Sequence, residues 1–226
     1  MTIALASKVR GSAVQVAQAL LGVHLVHRLR LGNTFHTLRG RIVETEAYDE
    51  TDAASHSCRG RTSRNLVMFG PAGRAYVYRS YGLHWCLNVV CGAEGFGAAV
   101  LLRALQPLAG QALMKVHRTQ LKPTGGPARG APQPTAQALC PEVRLARGPG
   151  CLTQAMGIDA SHYGCDLLDT ADALRLEVGD AAQPPWVATP RIGISQAQEA
   201  LWRFCVVGSP YVSGKKVAAP SASPQI

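Results

Sequence analysis

The chain has 226 residues, enough for one well-packed domain but not comfortably for two. A hydrophobic content of 47% argues against disorder, and no stretch approaches the roughly 20 apolar residues that a membrane helix requires. The net charge of +9 suits a polyanionic partner, most often nucleic acid and less often an anionic membrane surface.

The amino-terminal segment and the cysteines both indicate an intracellular protein. The short apolar run at the start of the chain has no basic region before it, so we expect no secretory signal. The 7 cysteines are scattered, odd in number and without a C-x-x-C pair. This pattern is typical of reduced thiols and argues against a zinc site, so we expect no metal.

A helix and two strands are predicted first in chain order. Ser12 can cap a helix with apolar positions as far as Leu21, and Gly22 fits its carboxyl end. The segments "VHLVHRLR" and "GRIVETEAY" then have the composition of strands. Alternation in the second predicts one face with Ile42, Glu44, Glu46 and Tyr48, and the other with Val43, Thr45 and Ala47.

The second strand leads into an acidic stretch, residues 41–57. Its carboxylates belong to Glu44, Glu46, Asp49, Glu50 and Asp52. The residues alone leave two interpretations open for the glutamates. Either both are solvated on an exposed strand face, or one is a general base beside an aromatic ring while the other orients its neighbours. The three aspartate and glutamate residues after Tyr48 have the composition of an ordinary turn.

A basic loop and a β-meander follow. The loop "CRGRTSRNLVMFGPAG" precedes the strand segments "RAYVY", "LHWCLNVVCG" and "AAVLLRALQP". Between residues 55 and 103 there are six arginines and one acid, and six aromatic side chains fall between residues 48 and 85. Core packing is the ordinary interpretation of Tyr76 and Trp85. Tyr81, in the turn "RSYG", is instead placed like a wedge, and aromatic wedges with arginines unstack and hold bases.

The second half of the chain is less regular. Pro107 can open a helix that runs to about His117, and Pro149 and Gly157 bound another short helix. Between these helices, residues 115–150 are predicted to form a long Gly/Pro-rich surface excursion. The segments "ALRLEV", "TPRIGIS" and "WRFCVVGSPYVS" are predicted to be further strands or sheet edges.

These elements together predict the fold class. The strands mostly follow one another through short turns, which favours an antiparallel or mixed sheet over a parallel doubly wound one. We therefore expect an α+β fold with a mostly antiparallel curved β-sheet core flanked by α-helices. A single domain should occupy residues 1–213, and residues 214–226 should be a disordered tail.

Eight blocks of sequence, taken in order, resemble one enzyme family. They are "GRIVETEAY", "HSCRGRTSRNLVMF", "YVYRSYG", "WCLNVV", "VLLRAL", "GPGCLTQAMGI", "RIGI" and "VVGSPYVS". Over about residues 20–213 they are similar to the alkyladenine (3-methyladenine) DNA glycosylases of the mammalian type. No single block is decisive, but eight in this order at compatible spacing are very specific.

The resemblance implies a monofunctional DNA glycosylase of base excision repair. Such an enzyme flips alkylated or deaminated purines out of duplex DNA and hydrolyses the N-glycosidic bond, leaving an abasic site, without a cofactor. In that family the second glutamate of the first block activates the attacking water, and here it is Glu46. The arginine of "VLLRAL", Arg103, and the backbone carbonyl of Ile192 would help to hold that water.

The resemblance also implies the residues that hold the base. Tyr48, His56 and Tyr78 would stack on it, Asn88 would line the pocket and reject unmodified guanine, and Tyr81 would fill the vacated place in the duplex. N-alkylated purines carry positive charge, and aromatic faces attract such rings more than neutral ones, by about 0.5–2 kcal/mol. The candidates for phosphate contacts are Arg59, Arg61, Arg64 and Arg79.

The implied partner is double-stranded DNA with damaged purine bases. We expect an intracellular monomer that acts without a membrane, in the cytoplasm or nucleoid of a bacterium or in a eukaryotic nucleus. Two departures from the family pattern affect details of DNA binding. Cys151 stands where a lysine is common, which puts one phosphate contact in question. The turn "CGAEGFG", residues 91–97, is two residues longer than in the mammalian relatives and could reshape the rim of the pocket.

Other functions stay open from the residues. A glycosylase with lyase activity needs an amine near the site, and the nearest lysine after the catalytic strand is Lys115. A carbohydrate hydrolase using Glu44 and Glu46 would leave the arginine-rich loop without a purpose, and a zinc deaminase would need H-x-E and P-C-x-x-C motifs. A non-catalytic binder of damaged DNA could use the same basic, aromatic surface.

Overall fold

A curved antiparallel sheet organises the structure, a computed structural model that describes residues 2–120, 141–179 and 182–214. Within these residues the strands are β1 (His24–Leu31), β2 (Thr34–Tyr48), β3 (Ala75–Ser80), β4 (His84–Val90), β5 (Ala99–Ala109), β6 (Leu174–Glu177), β7 (Trp186–Thr189) and β8 (Arg203–Val206). The α helices in the same residues are α1 (Thr2–Lys8), α2 (Ala13–Ala19), α3 (Gln111–Gln120) and α4 (Pro149–Met156).

The long strand β2 lies in the middle of the sheet. The strand order is β3-β4-β5-β2-β1-β6, and β8 joins the carboxyl-terminal half of β2 with β7 beside it. Every strand pair is antiparallel. The last part of β2 is therefore covered on both edges, by β5 and by β8. The predicted α+β fold, a single domain with a mostly antiparallel curved sheet and flanking helices, is confirmed.

A bulge in the pairing of β2 with β5 changes which face of β2 some side chains occupy, compared with the prediction. Ile42 lies opposite Leu105 and Glu44 opposite Ala104, so Val43 has no partner residue in the ladder. A bulge of this kind adds one residue and reverses the alternation of side chains. Ile42 consequently packs in the main hydrophobic core, whereas Val43 packs on the opposite face. The sequence prediction was wrong for these two residues.

The helices cover the face of the sheet that points away from Glu44 and Glu46. Helix α2 begins with the predicted Ser12 cap, which forms a reciprocal capping box with Gln15. Its apolar side packs on β2 and β5, and the Thr45 hydroxyl donates to the Ala17 carbonyl at 2.8 Å. Helix α4 has Pro149 in its first turn and ends at Gly157, whose φ is 67°, as the sequence predicted.

Two predictions for the second half of the chain were wrong. Pro107 does not open a helix, because β5 continues through it, opposite Gly40, and α3 begins only after Gly110. The segment "TPRIGIS" is not a strand beyond Thr189, where β7 ends. Pro190 has no N–H to continue the ladder, and the chain then turns at Gly193, whose φ is 80°.

Part of the predicted excursion and tail lies outside the described residues. Residues 121–140 and 215–226 belong to this part. Near the end of the predicted excursion, Leu145 and Ala146 are buried, and the Ala146 carbonyl accepts a hydrogen bond from the Leu105 amide at 3.1 Å. In the described part of the chain, no helix is long and apolar enough to span a bilayer.

The hairpin between β1 and β2 projects as a two-stranded ribbon. β6 pairs with β1 only up to His27, and β5 pairs with β2 only from Arg39 onward. Apart from the Arg28 amide, which donates to the Ala173 carbonyl at 2.8 Å, residues 28–31 and 34–37 therefore pair only with each other within the described chain. On this ribbon the Arg28 guanidinium lies 4.2 Å from the centroid of the exposed Phe35 ring.

A buried histidine links β1 to α4. His27 Nδ1 lies 2.7 Å from the Met156 carbonyl oxygen, to which it donates, and its Nε2 lies 3.2 Å from Nε2 of His162. Burial lowers the pKa of His27 to about 4, below its ordinary value of 6.5. The folded protein thus holds this imidazole in its neutral form.

We expect the buried His27 to lower the free energy of unfolding in acid. Its pKa is lower in the folded than in the unfolded state, so between pH 6.5 and about 4 the unfolded chain binds more protons. The free energy of unfolding should fall across this window by up to roughly 3 kcal/mol from this group. Urea unfolding at pH 7 and pH 4.5 tests this, and His27→Asn should show a flatter pH dependence. An equal pH dependence in both proteins would contradict it.

Candidate active site

A cavity of about 490 Å³ opens on the face of the sheet that carries Glu46. The residues of the predicted site that line it are Glu46, Tyr48, His56, Arg64, Tyr78, Tyr81, Asn88, Arg103 and Ile192. Three of the predicted phosphate ligands, Arg59, Arg61 and Arg79, lie outside its wall. The predicted residues come from β2, β3, β4, β5 and three loops, and the curvature of the sheet brings them to one place.

Glu46 is buried and has three donors on its carboxylate. Its Oε2 accepts hydrogen bonds from the Tyr48 hydroxyl at 2.9 Å and from Nη1 of Arg103 at 3.1 Å. Its Oε1 accepts one from the Ile192 backbone amide at 2.8 Å. Burial, followed by the charge of Glu46 and the hydrogen bond to it, raises the pKa of Tyr48 well above its ordinary value. Tyr48 therefore stays a neutral hydroxyl that donates to the Glu46 carboxylate.

Glu44 has a different environment, although it is equally buried and only two residues away. It does not line the cavity, and both its oxygens accept hydrogen bonds from within the protein. The donors to Oε1 are Arg103 Nε at 2.9 Å, Arg203 Nε at 2.7 Å and Ser213 Oγ at 2.8 Å, and the donor to Oε2 is Ser213 N at 2.6 Å. Glu44 is thus saturated, whereas Glu46 faces the cavity. Exposed, solvated glutamates, one of the two interpretations of the sequence, are excluded.

The aromatic wall contains one residue whose role the sequence did not predict. The rings of His56 and Tyr78 meet edge to face with centroids 4.5 Å apart, and Tyr76 stacks behind Tyr78 at 5.3 Å. The Tyr76 hydroxyl lies 2.8 Å from His56 Nδ1, so this buried tyrosine orients the imidazole. Burial and then the nearby charge of Arg64 lower the pKa of His56, which favours a neutral ring. Core packing alone was the ordinary interpretation of Tyr76.

Asn88 lies deep in the same wall. It pairs with Tyr76 in the register of β3 and β4, and its Nδ2 donates to the Tyr76 carbonyl at 3.0 Å. This bond fixes the orientation of the amide in the cavity. The side chain of Asn88 is therefore held in one position in the cavity wall by the neighbouring strand.

Tyr81 stands at the mouth of the cavity. Its side chain is 88% exposed, and its backbone has a φ of 49°, a left-handed conformation that is uncommon outside glycine. The turn is closed by a hydrogen bond from the Leu83 amide to the Ser80 carbonyl at 3.0 Å. No packing of Tyr81 against the protein accounts for this placement, because almost the whole ring faces solvent.

The four arginines of the predicted phosphate surface are exposed. Arg64 lies over the Tyr78 ring, with 5.5 Å between its Cζ and the ring centroid, and donates to the Arg79 carbonyl at 3.3 Å. Arg61 lies over Phe69 at 5.0 Å. The aromatic rings therefore help to hold these exposed guanidinium groups in place at the surface.

Two acids of the predicted turn do more than shape it. Asp52 is buried and forms an ion pair with Arg191 that has two hydrogen bonds. Glu50 accepts a hydrogen bond from the Gly97 amide at 2.9 Å and so ties down the glycine-rich turn. The expectation of ordinary turn residues was wrong for both. Arg191, Arg203 and Ser213 were missed as well, because their partners are far away in the chain and no local spacing marks them.

The two departures from the family pattern contribute no residue to the cavity wall. Cys151 is half-buried in the first turn of α4, next to Pro149 and Gly150, and of this turn only Pro149 lines the cavity. At Gly97 an added Cβ would lie 2.6 Å from the Phe69 ring. Among the described residues, no cluster of three or more histidine, cysteine, aspartate or glutamate side chains could hold a metal ion.

Comparison with known proteins gives one consistent family. The sequence model of the family described as "Methylpurine-DNA glycosylase (MPG)" matches residues 7–210. A protein of Nitrosospira multiformis is 42% identical over 203 residues, which cover 89% of each chain. One of Methanoculleus marisnigri is 47% identical over 206 residues, 88% of this chain and 93% of the relative. Each of these relatives is named "Putative 3-methyladenine DNA glycosylase".

Glu44→Gln should destabilise the fold strongly. The substitution removes the negative charge that compensates the buried guanidinium groups of Arg103 and Arg203. Leaving a buried charge without its ion-pair partner lowers the free energy of unfolding by about 3–5 kcal/mol. Urea unfolding at pH 7 measures the effect. The matched control is Glu177→Gln, a half-buried partner of two arginines at the sheet edge, for which we expect a loss below about 1 kcal/mol. If the two variants lost the same amount of unfolding free energy, a structural role for Glu44 would be contradicted.

Proposed function

The chain belongs to the methylpurine-DNA glycosylase family and is a DNA glycosylase of DNA repair, and we propose that it hydrolyses the N-glycosidic bond of alkylated or deaminated purines flipped out of duplex DNA. The observation that carries the proposal is the geometry of Glu46. This buried carboxylate faces the cavity and accepts hydrogen bonds from three donors that fix its position.

Glu46 activates the water that attacks the sugar in this proposal. A cationic alkylpurine is already a good leaving group, so strong acid catalysis of its departure is unnecessary. What the reaction needs is a base for the water and negative charge near the developing sugar cation, and one carboxylate can supply both. Arg103 donates to Glu46 and lines the cavity, where it can also orient the water. The proposed contribution of the Ile192 carbonyl adds a second anchor for the water.

The aromatic wall holds the extruded base. Tyr48, His56 and Tyr78 offer ring faces and edges, and such a box attracts positively charged purines by about 0.5–2 kcal/mol more than neutral ones. A neutral His56 supports this, since a second cation in the wall would repel the base. The fixed side chain of Asn88 would leave no room for the 2-amino group of an unmodified guanine and so exclude it.

The surface around the cavity suits duplex DNA. Tyr81 is exposed at the mouth, where its ring can replace the stacking that the extruded base gives up. Four exposed arginines are proposed to contact phosphates, namely Arg59, Arg61, Arg64 and Arg79. No lysine lines the cavity among the described residues, which supports a water nucleophile over an amine and a monofunctional reaction.

Glu46→Gln should abolish base release but retain DNA binding. The amide keeps the shape of the side chain but cannot deprotonate water, so single-turnover excision from alkylated duplex DNA should fall by at least about a hundredfold. Binding to a duplex with an abasic-site analogue should change little. Asp49→Asn, in the same acidic stretch but outside the cavity wall, is the control and should excise normally. Unchanged excision by Glu46→Gln would end the catalytic assignment and favour a non-catalytic binder.

Tyr81→Ala should weaken excision by removing the proposed wedge. Stacking of one base on an aromatic ring contributes about 1–3 kcal/mol, so we expect a roughly tenfold or greater loss of single-turnover excision at subsaturating enzyme. Phe35→Ala removes another exposed aromatic ring, on the ribbon of β1 and β2, and serves as the control with unchanged excision. Equal activity of the Tyr81 variant and the control would exclude a wedge.

A further inference from the structure

The buried ion pair of Asp52 and Arg191 connects three parts of the site. Both side chains are almost entirely inaccessible, at 1% and 0% exposure. The Arg191 guanidinium also donates to the Ala47 carbonyl at 3.0 Å and to the Ala197 carbonyl at 3.3 Å. It therefore joins the end of β2, the turn that leads to His56, and the loop after β7. An arginine with this many acceptors fixes the backbone around it.

Arg191 lies directly behind the base-binding wall. Its Cζ is 4.6 Å from the centroid of the Tyr48 ring, yet Arg191 is buried and does not line the cavity. The guanidinium thus covers the face of Tyr48 that points away from the cavity. The next residue, Ile192, presents its amide to Glu46 at 2.8 Å. One side chain consequently supports both the aromatic wall and a donor to the proposed base.

The charge of Arg191 creates a difficulty for a cationic base. A base on the cavity face of Tyr48 would lie about 3.5 Å beyond the ring, so the two positive charges would be roughly 8 Å apart with little water between them. An isolated guanidinium in this position would repel an alkylated purine and leave a neutral purine unaffected. The carboxylate of Asp52, bound to the same guanidinium, cancels most of this field.

We propose that Asp52 and Arg191 are positioning residues that also set the preference of the site between cationic and neutral bases. Arg191 holds Tyr48 and the Ile192 amide, and Asp52 neutralises Arg191 so that Tyr48 can accept a positively charged purine. The inference rests on the proposed function, because it concerns the base held by the same cavity. It assigns a specificity role to two residues that do not touch the base.

The test compares two substrates in one enzyme preparation. Duplex DNA of one sequence contains either a cationic 7-methylguanine or a neutral hypoxanthine at the same position, and single-turnover excision rates are measured for both. The quantity of interest is the ratio of the cationic to the neutral rate. A fraction of unfolded protein lowers both rates equally and leaves this ratio unchanged, so lost stability alone cannot produce a shift.

We expect opposite shifts from the two single variants. Asp52→Asn leaves Arg191 uncompensated and should lower the ratio roughly tenfold. Arg191→Gln leaves the Asp52 carboxylate behind Tyr48, so it should raise the ratio while both rates fall through loss of positioning. The double variant removes both charges and should return the ratio toward that of the original protein. Arg191→Gln keeps the test decisive if Asp52→Asn does not fold.

Asp166→Asn is the matched control, since it breaks an aspartate–arginine pair with Arg74 that lies outside the cavity wall. Its ratio should equal that of the original protein. An unchanged ratio in both Asp52→Asn and Arg191→Gln would overturn the inference while leaving the proposed function intact. Failure of the original protein to release either base would overturn the proposed function, and this inference with it.

Discussion

The site depends on the interaction of two buried carboxylates of one strand with arginines from distant strands. Glu44 and Glu46 are both inaccessible to solvent, and burying unpaired carboxylates costs several kcal/mol each. Arg103 of β5 contacts both, and Arg203 of β8 contacts Glu44. Among the described strands, only β2 pairs with both β5 and β8, and it does so around Glu44 and Glu46. The strand order therefore brings the arginines that compensate the two carboxylates to the edges of β2. Glu44, whose carboxylate oxygens both accept hydrogen bonds from the protein, in turn holds the Arg103 guanidinium in the position from which it donates to Glu46.

An irregular segment supplies what a regular strand could not. If the chain after β7 had continued as a strand, the amide of Ile192 would have been used in the sheet ladder. Instead the ladder ends at Thr189, and this amide is free to donate to Glu46. Irregular backbone beside a rigid sheet is a common source of donors in enzyme sites. The buried Arg191 holds the segment in place, so the loss of strand pairing does not make it loose.

Local patterns predicted much of the fold and the cavity. The capped helix at Ser12, the meander and the alternation of Glu44, Glu46 and Tyr48 all follow from neighbouring residues, and the residues assigned through the family blocks largely meet at one cavity. The bulge at Val43 was not predictable, since it depends on the register with β5. The same is true of the Asp52–Arg191 and Glu44–Arg203 pairs, whose members lie 139 and 159 residues apart. Periodicity carries no information about such contacts.

The ribbon at the tip of β1 and β2 has a consequence for solubility. Beyond Arg28, its two outer edges pair with no other strand of the described chain, and unpaired edges can recruit strands from other molecules. Arg28 and Arg30 project from this ribbon, and the sequence from residue 24 to residue 41 contains no acid. Edge-to-edge association of two copies would therefore bring like charges together. The basic composition that suits a DNA-binding enzyme also protects its most exposed strands from self-association.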